Sequence, residues 1–423
     1  MKLHWFSPLP PARTGIAEYS VMLAPWLSQV ADVTFWTDQK SWDPRLEAHG
    51  TVRRYSPDQV PWEDLNQGVS VFHIGNNPNF HQSIWRVSQA HAGVVVLHDV
   101  RLQDFFWGIL ARPGDAGEYV RCMERVYGRA GASAAGLGDA SPHLETVALP
   151  YPLFEPAIEN ALGVVVHTAT GRDLVDPRCP CALACMPLAY DPTQARRPVK
   201  ASGPPHELVV FGFINPNRRL ISLLRALGEM PDKDAFRLRV CGRLWDEAHV
   251  RAKIREYGLE RHVTLQGYMT ALDEAIARAD LAINLRFPSM GEASGSQLRI
   301  WDHALPSIVT RTGWYAGLPG DAVLHVDVET EIDDLKKHLS AFASDPAAFR
   351  AIGERGRDLL ALHEPGQYVR NLMKFASQAA TFRPTRGWLK TGQRVGLDMR
   401  CWASAMAVDS LASAAASAIP KVS

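Results

Sequence analysis

The sequence predicts an α/β protein with two doubly wound domains, each a parallel sheet covered by helices on both faces. Three observations support this fold class. The chain has 423 residues, more than a single hydrophobic core usually serves. Short apolar, β-branched runs alternate with longer segments of helical periodicity, which is typical of parallel sheets with crossover helices. A proline-rich stretch near the middle interrupts this alternation, so we expect two domains that face a shared cleft.

The predicted strands are the short apolar runs. In chain order they are Leu3–Phe6, Val33–Trp36, Val69–Ile74, Val94–His98, Val164–His167, Leu208–Ile214, Leu238–Cys241, Val263–Leu265, Leu281–Leu285, Ser307–Thr310 and Val323–Val326. Apolar residues at helical spacing predict helices over Ile16–Val30, Arg219–Leu227, Glu247–Tyr257, Leu272–Arg278, Gln297–His303 and Leu335–Phe342. We expect ligand-binding residues at the carboxyl ends of the strands, because that edge borders the cleft in doubly wound sheets.

The break in periodicity gives the domain boundaries. Residues 1–191 are predicted to form one Rossmann-like domain, 192–206 a linker, and 207–375 a second Rossmann-like domain. Residues 376–423, which become Ala/Ser-rich from Gly387 onward, are interpreted as a helical extension that packs back on the N-terminal domain. A helix that binds a membrane surface or a partner protein is the open alternative for this extension.

Composition excludes several classes of function. Lys+Arg and Asp+Glu both number 45, so overall charge gives no attraction to nucleic acid, and we expect no nucleic-acid partner. Cys179, Cys181 and Cys185 lack the paired spacing of zinc sites, and we expect reduced thiols and no metal. No apolar run is long enough for a signal peptide or a membrane span. We therefore expect a cytoplasmic protein, with peripheral contact at the inner face of the membrane left open.

The segment from Leu281 to Leu298 carries the strongest functional signal. It predicts a buried strand, a turn and a helix that starts at Ser294-Gly-Ser296. A helix start offers unpaired N–H groups and a positive dipole end, which together bind phosphate without a cation. Glu292, just before it, is placed to accept hydrogen bonds from sugar hydroxyls. Alternatively, a serine caps the helix and Glu292 only favours its dipole.

Two further segments connect a strand to a helix. In the first, Arg218 and Arg219 precede an amphipathic helix and are suited to bind a pyrophosphate bidentately. The alternative is an ordinary solvated helix start. In the second, near the N-terminus, Gly15 opens a helix after a proline-stiffened loop and allows a ligand to approach the backbone closely. A plain strand-to-helix connection is the alternative there.

Polar residues follow two predicted strands of the N-terminal domain. They suit the lining of a cleft better than a core, and they are His73, Asn76, Asn77, His81, His98 and Asp99. Asp99 has an alternative role as the N-cap of the following helix.

Together these segments resemble the GT-B-fold glycosyltransferases of family 4, the glycosyl transferases group 1, and within them a bacterial branch of polysaccharide type. The resemblance is carried, in order from Ser7 to Pro319, by SPLPP, TGIAEYS, HIGNN with a following histidine, LHD, FGFI with NRR, LRFPSMGEASGS and GWYAGLP. The ordered set is far more specific than any of its members.

The resemblance implies a nucleotide-diphosphate sugar held mainly by the C-terminal domain and an acceptor on the N-terminal domain. It also implies cleft closure, transfer with retention of anomeric configuration, and no metal ion or other cofactor. The catalytic residues it indicates are His98, Glu292 and Arg218. The donor-binding set is Gly15, Gly212, Arg218, Arg219, Glu292, Ala293, Ser294, Gly295 and Ser296, and the acceptor side has Arg13, Thr14, His73, Asn76, Asn77, His81 and Asp99.

The sequence departs from the family pattern in two ways. The second glutamate, which holds the nucleotide ribose, is replaced, since Arg299 and Ile300 stand at the aligned positions. Phe213 stands where many relatives have an arginine. Because the second glutamate is missing, ribose binding must differ from that of the family.

The resulting prediction is a hexosyl transfer from GDP-mannose or a UDP-sugar to a glycan or lipid-linked acceptor in bacterial surface polysaccharide synthesis. Two alternatives stay open. One is a sugar-nucleotide epimerase on the same fold, which would act on a nucleotide sugar without an acceptor. The other is a partner subunit that kept the fold and lost turnover, an alternative based only on the missing second glutamate.

Overall fold

The computed structural model describes residues 1–59, 62–112, 114–136, 147–193, 203–269 and 271–383. It contains two separate parallel sheets, one from each half of the chain, and each is flanked by helices. This confirms the predicted fold class. No helix among the described residues is long and apolar enough to cross a membrane.

The N-terminal sheet has seven strands in the order β3-β2-β1-β4-β5-β6-β7, all parallel. Its strands are β1 (Lys2–Phe6), β2 (Asp32–Thr37), β3 (Thr51–Arg54), β4 (Val69–Ile74), β5 (Val94–Leu97), β6 (Gly163–Val166) and β7 (Ala182–Cys185). The helices are α1 (Gly15–Leu27), α2 (Trp62–Leu65), α3 (Pro78–Ala90), α4 (Gln103–Leu110), α5 (Gly117–Ala135), α6 (Glu155–Ile158) and α7 (Ala169–Val175), with 3-10 helices at Pro44–Ala48 and Asp176–Arg178.

The C-terminal sheet has six parallel strands in the order β10-β9-β8-β11-β12-β13. Its strands are β8 (His206–Phe211), β9 (Phe236–Cys241), β10 (Val263–Gly267), β11 (Leu281–Asn284), β12 (Ser307–Thr310) and β13 (Leu324–Val326). The helices are α8 (Leu220–Glu229), α9 (Glu247–Glu256), α10 (Leu272–Arg278), α11 (Gly295–Asp302), α12 (Gly313–Ala316), α13 (Glu331–Ser344), α14 (Arg350–Leu359) and α15 (Pro365–Ala380), with 3-10 helices at Pro216–Arg218, Lys233–Ala235 and Leu360–His363.

The predicted strands are confirmed, with ends that differ by a few residues. The largest difference is at β8, which ends at Phe211 although the apolar run continues to Ile214. The apolar pattern does not indicate β3 and β7, which lie at the two edges of the N-terminal sheet. Both are largely exposed. An edge strand pairs on one side only and needs no continuous apolar run, so it leaves a weak pattern in the sequence.

Helix α15 leaves the C-terminal domain and packs on the N-terminal one. It contacts α1, β4 and β6. Its buried residues Tyr368, Leu372 and Ala376 belong to the same apolar cluster as Leu23. The predicted end of the second domain at residue 375 falls inside this helix, because helical periodicity continues across that position. Residues 384–423 of the predicted extension lie outside the described part of the chain.

Hydrogen bonds attach the chain around the start of the predicted linker to the C-terminal domain. The Asp302 carboxylate, at the end of α11, accepts hydrogen bonds from the Thr193 N–H at 2.9 Å and hydroxyl at 2.6 Å. The Tyr190 N–H donates to the His363 carbonyl at 2.8 Å. Such contacts fix where the two sheets lie relative to each other, and so they shape the cleft between them.

Candidate active site

A partly buried arginine and a helix start form the floor of the cleft on the C-terminal side. Arg218 donates to the Asn284 side-chain oxygen at 2.7 Å and to the Ser296 hydroxyl at 3.4 Å. Gly212, after β8, has a φ of 101°, and a Cβ there would lie 3.2 Å from the Arg218 guanidinium. Only glycine suits both constraints. The structure thus brings together the predicted Gly212, Arg218 and Ser296.

The Arg218 guanidinium retains unused donor capacity. Its Nε is buried and has no hydrogen-bond partner among the described residues. Burial, followed by the nearby Arg286 charge, lowers the pKa of Arg218 to about 10. A buried positive group with an unpaired donor is suited to an anionic ligand, which would supply both the missing charge and the missing acceptor.

The start of α11 offers backbone donors next to Arg218. Ser294 is the N-cap, and its hydroxyl accepts the Gln297 N–H at 3.1 Å. The capping role that the sequence left open therefore applies to Ser294. Gly295 has open space where a side chain would lie, as does Gly15 at the start of α1. Both helix starts can therefore be approached closely by a ligand, and this is the geometry that favours phosphate binding.

Arg219 does not join Arg218 at this floor. Its guanidinium forms an ion pair with Glu331 at 3.0 Å, and Glu331 is only 3% exposed. Arg219 adopts a left-handed backbone with φ of 55°, which turns the chain between the 3-10 helix at Pro216–Arg218 and α8. The two-arginine diphosphate clamp expected from the sequence is thus not formed, because consecutive side chains leave this turn in different directions.

Glu292 is paired with an arginine for which the sequence predicted no role. Arg286 Nε lies 2.9 Å from Glu292 Oε1, and both side chains are 12% exposed. Arg286 also donates to the Asn217 side-chain oxygen at 3.2 Å. The Ser289 hydroxyl donates to Glu292 at 3.2 Å. Glu292 is therefore held as an oriented acceptor, next to Ala293 and the start of α11.

The loop that carries Glu292 is hydrogen-bonded to the N-terminal domain. The Met290 carbonyl accepts the N–H groups of Val100 and Arg101, each at 2.9 Å. Gly291 has a φ of 82°, and a Cβ there would clash with Val100. Close approach of the two domains at this point requires a glycine. This close approach places Asp99, just before Val100, across from Glu292.

Asn76 and Asp99 form a polar cluster on the N-terminal side of the cleft. The Asn76 N–H donates to Asp99 Oδ2 at 2.8 Å, and the Asn76 side chain donates to Asp104 at 2.9 Å. Burial, followed by the Glu292 charge, raises the pKa of Asp99 to about 7. These two predicted residues are brought together. Asp99 accepts no capping bond at the start of α4, which has no side-chain cap.

The histidines of this domain form a buried stack. His73 Nδ1 lies 2.8 Å from His98 Nε2, and His81 Nδ1 lies 3.0 Å from the His73 carbonyl oxygen. The ring of His167 lies 5.0 Å from that of His98. His98 reaches the edge of the cleft with 9% exposure, whereas His73 and His81 are in the interior. The predicted cleft-lining role of His73 and His81 does not fit, because His73 lies on the central strand β4 and His81 is on the buried face of α3.

The remaining predicted residues have structural contacts. Asn77 is the exposed N-cap of α3, and Thr14 is the N-cap of α1. The Arg13 guanidinium lies 4.6 Å from the centre of the Tyr268 ring, so it spans the cleft to the C-terminal domain. Of the expected acceptor-side group, only Asn76 and Asp99 therefore line the N-terminal wall opposite Glu292.

The residues at the positions of the family's second glutamate make unrelated contacts. Arg299 binds Asp273 bidentately, with both distances at 2.7 Å. Ile300 is buried in a small apolar cluster. Phe213 is 53% exposed and points out of the core. Neither Arg299 nor Ile300 provides a carboxylate that could accept hydrogen bonds from ribose, and Phe213 provides no cation.

Part of the chain matches a known protein family. Residues 192–359 match the family model described as glycosyl transferases group 1. The second domain is a glycosyl transferases group 1 domain. The sequence finds no match among curated proteins.

Several solved structures superimpose on nearly the whole chain. Sucrose-phosphate synthase from Thermosynechococcus elongatus superimposes with a TM-score of 0.62 at 15% identity, covering 90% of this chain and 99% of its own. Anabaena HepE, in complex with UDP and glucose, gives 0.62 at 13% identity, covering 89% and 99%. WaaG, a glycosyltransferase involved in lipopolysaccharide biosynthesis, gives 0.58 at 12% identity, covering 89% and 99%. At these identities the likeness establishes the GT-B fold.

The clustered cysteines lie away from the cleft that the group 1 domain borders. Cys179 and Cys181 have their sulfurs 3.9 Å apart beside β7, at the far edge of the N-terminal sheet. The cysteines that the structure describes form no disulfide with one another. Within the described part of the chain, no group of three or more His, Cys, Asp or Glu side chains is arranged to hold a metal ion.

Arg286, Arg101 and Asp104 are site residues that the sequence pattern did not indicate. Arg101 Nη1 donates to the Ser289 carbonyl at 3.3 Å across the cleft. Arg286 lies inside the motif that carries the family resemblance, so its cation was visible in the sequence. The direction of the Arg286 side chain could not be predicted from the sequence, because a residue just after a strand can point into the cleft or onto the surface.

Proposed function

We propose that the protein is a retaining, metal-independent glycosyltransferase that requires no cofactor. It moves a hexosyl group from GDP-mannose or a UDP-sugar to a hydroxyl of a glycan or lipid-linked acceptor in bacterial surface polysaccharide synthesis. We place this activity in the cytoplasm. The observation that supports the transferase assignment most is the buried Arg218 guanidinium beside the open helix start at Gly295.

This arrangement suits a departing nucleoside diphosphate. When the bond between the sugar and the diphosphate breaks, negative charge grows on the leaving phosphate oxygen. Fixed donors stabilise such charge better than water does, because they need no reorganisation during the reaction. Arg218 and the backbone amides of α11 are donors of this kind, and the group 1 domain provides both.

Glu292 is proposed to hold the donor sugar. Its carboxylate is held in place by Arg286 and Ser289, which orients it as a hydrogen-bond acceptor. His98 lies on the opposite domain at the cleft edge, where we propose that it contacts the same sugar. The acceptor would then occupy the N-terminal wall next to Asn76 and Asp99.

The named structural neighbours support the ligand classes without fixing them. HepE is described in complex with UDP and glucose, and separately with UDP-glucose. WaaG is described as involved in lipopolysaccharide biosynthesis. These descriptions favour a UDP-sugar donor and a surface glycan acceptor for this protein.

Nucleotide binding is the first test. We would measure the melting temperature with UDP, GDP, ADP and dTDP, each in the presence of EDTA. A nucleotide that binds only the folded protein raises the melting temperature, by a stabilisation of about 2.7 kcal/mol at a hundredfold excess over its Kd. We expect one of UDP and GDP to give a clear shift that EDTA leaves intact. No shift with any of the four would contradict the proposal.

Turnover is the second test. The nucleotide that shifts the melting temperature selects the donors, which are then incubated with and without membrane glycan or glycolipid acceptors. Release of nucleoside diphosphate that depends on the acceptor, with retained anomeric configuration in the product, is the expected result. Epimer formation from the donor alone would favour an epimerase instead. Nucleotide binding without any turnover across a broad panel would favour a partner subunit.

A further inference from the structure

From the contacts of the buried histidines we infer that His73 is a positioning residue for the transfer. It fixes the proton of His98 on Nδ1 and so makes His98 a hydrogen-bond donor to a hydroxyl of the transferred sugar. The inference rests on the proposed function, in which His98 contacts that sugar. His73 itself is fully buried, so any effect that it has on a ligand must pass through the ring of His98.

The parallel register of the N-terminal sheet places the two rings side by side. His73 of β4 pairs with Val96 of β5. His98 lies two residues beyond Val96, and residues two apart in an extended chain point to the same face of a sheet. The His98 N–H donates to the Ile74 carbonyl at 2.9 Å, which continues the pairing of the two strands to this position. The rings meet with His73 Nδ1 2.8 Å from His98 Nε2.

This contact leaves one nitrogen of His98 for a ligand. Its Nε2 is directed at His73 in the interior, whereas His98 reaches the cleft edge with 9% exposure. A sugar hydroxyl in the cleft can therefore bond to this ring only through Nδ1. Burial holds the pKa of His73 and that of His98 well below the ordinary value, so both rings are neutral near neutral pH. In a neutral imidazole one nitrogen donates and the other accepts, and the position of the proton decides which.

The surroundings of His73 select one of two arrangements. A single proton lies between His73 Nδ1 and His98 Nε2. If His98 donated it, His73 would carry its own proton on Nε2, which is buried and has no hydrogen-bond partner among the described residues. If His73 donates it, that Nε2 is an unpaired acceptor, and protein interiors contain unpaired acceptors more often than unpaired N–H groups. The second arrangement leaves the proton of His98 on Nδ1.

A third histidine of the stack has the same pattern. His167 Nδ1 lies 3.0 Å from the Met186 carbonyl oxygen, which can only accept, so the proton of His167 is on Nδ1. Its Nε2 is therefore an acceptor, and it is buried without a partner in the part of the chain that the structure describes. The centres of the His167 and His98 rings lie 5.0 Å apart. A buried Nε2 without a proton is thus already present beside His98, and His73 repeats it.

A donor at His98 complements the acceptor on the other side of the proposed sugar site. Glu292 is held by Arg286 at 2.9 Å and is oriented as an acceptor. A sugar hydroxyl both donates and accepts, so a sugar between the two domains can donate to Glu292 and accept from His98. His73 therefore sets the hydrogen-bonding character of one wall of the sugar site without touching the sugar. Its effect should be limited to ligands that contain the sugar.

The position of the proton is measured directly by NMR. In protein labelled with 15N-histidine, a long-range 1H–15N correlation spectrum shows which ring nitrogen carries hydrogen, and the signals that disappear in His98→Gln identify His98. We expect wild-type His98 to have its proton on Nδ1. A proton on Nε2 would overturn the inference. This measurement needs no turnover, so its result is independent of the proposed function.

Two substitutions of nearly equal size then test the effect on transfer. In His73→Asn the amide N–H can donate to His98 Nε2, and we expect the proton to stay on Nδ1. In His73→Leu no group holds Nε2, so the ring is free to turn and both tautomers should be populated. We expect kcat/KM for the nucleotide sugar to be about tenfold lower in His73→Leu than in His73→Asn, the effect of one lost hydrogen bond. The Kd of the nucleoside diphosphate should be equal in the two variants, because this ligand has no sugar.

Melting temperatures separate this effect from packing. A buried asparagine costs more stability than a buried leucine, so a purely structural role would make His73→Asn the weaker enzyme. The inference requires the opposite order of activity. His91→Leu is the control, since His91 is a buried histidine before the start of β5, whereas His98 follows its end. It should keep both the tautomer of His98 and the wild-type kcat/KM.

The outcomes distinguish the inference from the function on which it rests. If His73→Leu and His73→Asn have the same kcat/KM, His73 does not act through His98, although the transferase assignment stands. If the wild-type protein transfers no sugar at all, the proposed function itself fails, whatever the tautomer of His98.

Discussion

At the scale of single residues, the consecutive arginines Arg218 and Arg219 have different surroundings. Arg218 lies under the start of α11 with an unpaired, buried Nε. Arg219 neutralises the buried Glu331, which is part of the packing between α8 and α13. One arginine is therefore available for a ligand, and the other compensates a buried negative charge.

This difference predicts different effects of the same substitution. Arg218→Gln should weaken nucleoside diphosphate binding by about 10- to 100-fold, the range expected for a lost charge-assisted hydrogen bond. Arg219→Gln should leave that affinity within about twofold but lower the melting temperature, because Glu331 would keep a buried charge without a partner. Titration calorimetry and thermal unfolding measure the two effects. Equal losses of affinity in both variants would contradict the placement of Arg219.

At the scale of elements, helix α15 belongs by packing to the domain at the other end of the chain. Leu372 is fully buried in the apolar cluster that includes Leu23 of α1. A ring atom of Phe375 would lie 2.8 Å from a Cβ at Gly163 of β6, so helix and sheet approach closely there. The helix thus completes the N-terminal core and returns the chain across the domain junction.

A pair of leucine substitutions tests this packing. Leu372→Ala should reduce the free energy of unfolding by about 2–5 kcal/mol, because it removes fully buried methyl groups and leaves a cavity. Leu362→Ala is the matched control, since Leu362 is 68% exposed and should change stability by less than about 0.5 kcal/mol. Urea unfolding of both variants measures the difference. A small effect at Leu372 would mean that α15 is not docked on the N-terminal sheet.

At the scale of the whole molecule, buried histidines make the folded state sensitive to acid. Burial lowers the pKa of His81 and His167 to about 4, and it holds the pKa of His73 and His98 well below the ordinary value. In the unfolded chain these side chains return to a pKa of about 6.5. The unfolded state therefore binds more protons below that pH, and acid favours unfolding.

The predicted pH dependence has a definite sign and window. The stability contributed by the neutral histidines should be fully present above about pH 6.5 and decline as the pH falls toward about 4. Each histidine that is protonated only on unfolding contributes a slope of up to about 1.4 kcal/mol per pH unit. Urea unfolding at pH 7.5, 6 and 5 measures it, and the exposed His249→Gln should show the wild-type slope. A free energy of unfolding that is constant from pH 7.5 to 5 would exclude this linkage.

The sequence alone determined the fold class and the main parts of the site. Parallel-sheet strands are short apolar runs, and a helix start after such a strand is a local feature. Gly212, Arg218 and the α11 start can therefore all be located from the order of residues along the chain. The family resemblance added Glu292 as the proposed sugar ligand. The match of residues 192–359 to the glycosyl transferases group 1 family agrees with the fold predicted around these residues.

Tertiary structure decided how side chains are directed and what they meet. It turned Arg219 onto Glu331, buried His73 and His81, and placed α15 on the opposite domain. It also set Asp99 across from Glu292, which raises its pKa, although the two residues are far apart in the chain. Periodicity records which residues are apolar over a few turns. Direction, burial and charge pairing depend on contacts between distant segments. For Arg219, His73 and His81 these contacts form when each domain folds, and for α15 and Asp99 they form when the two domains pack together.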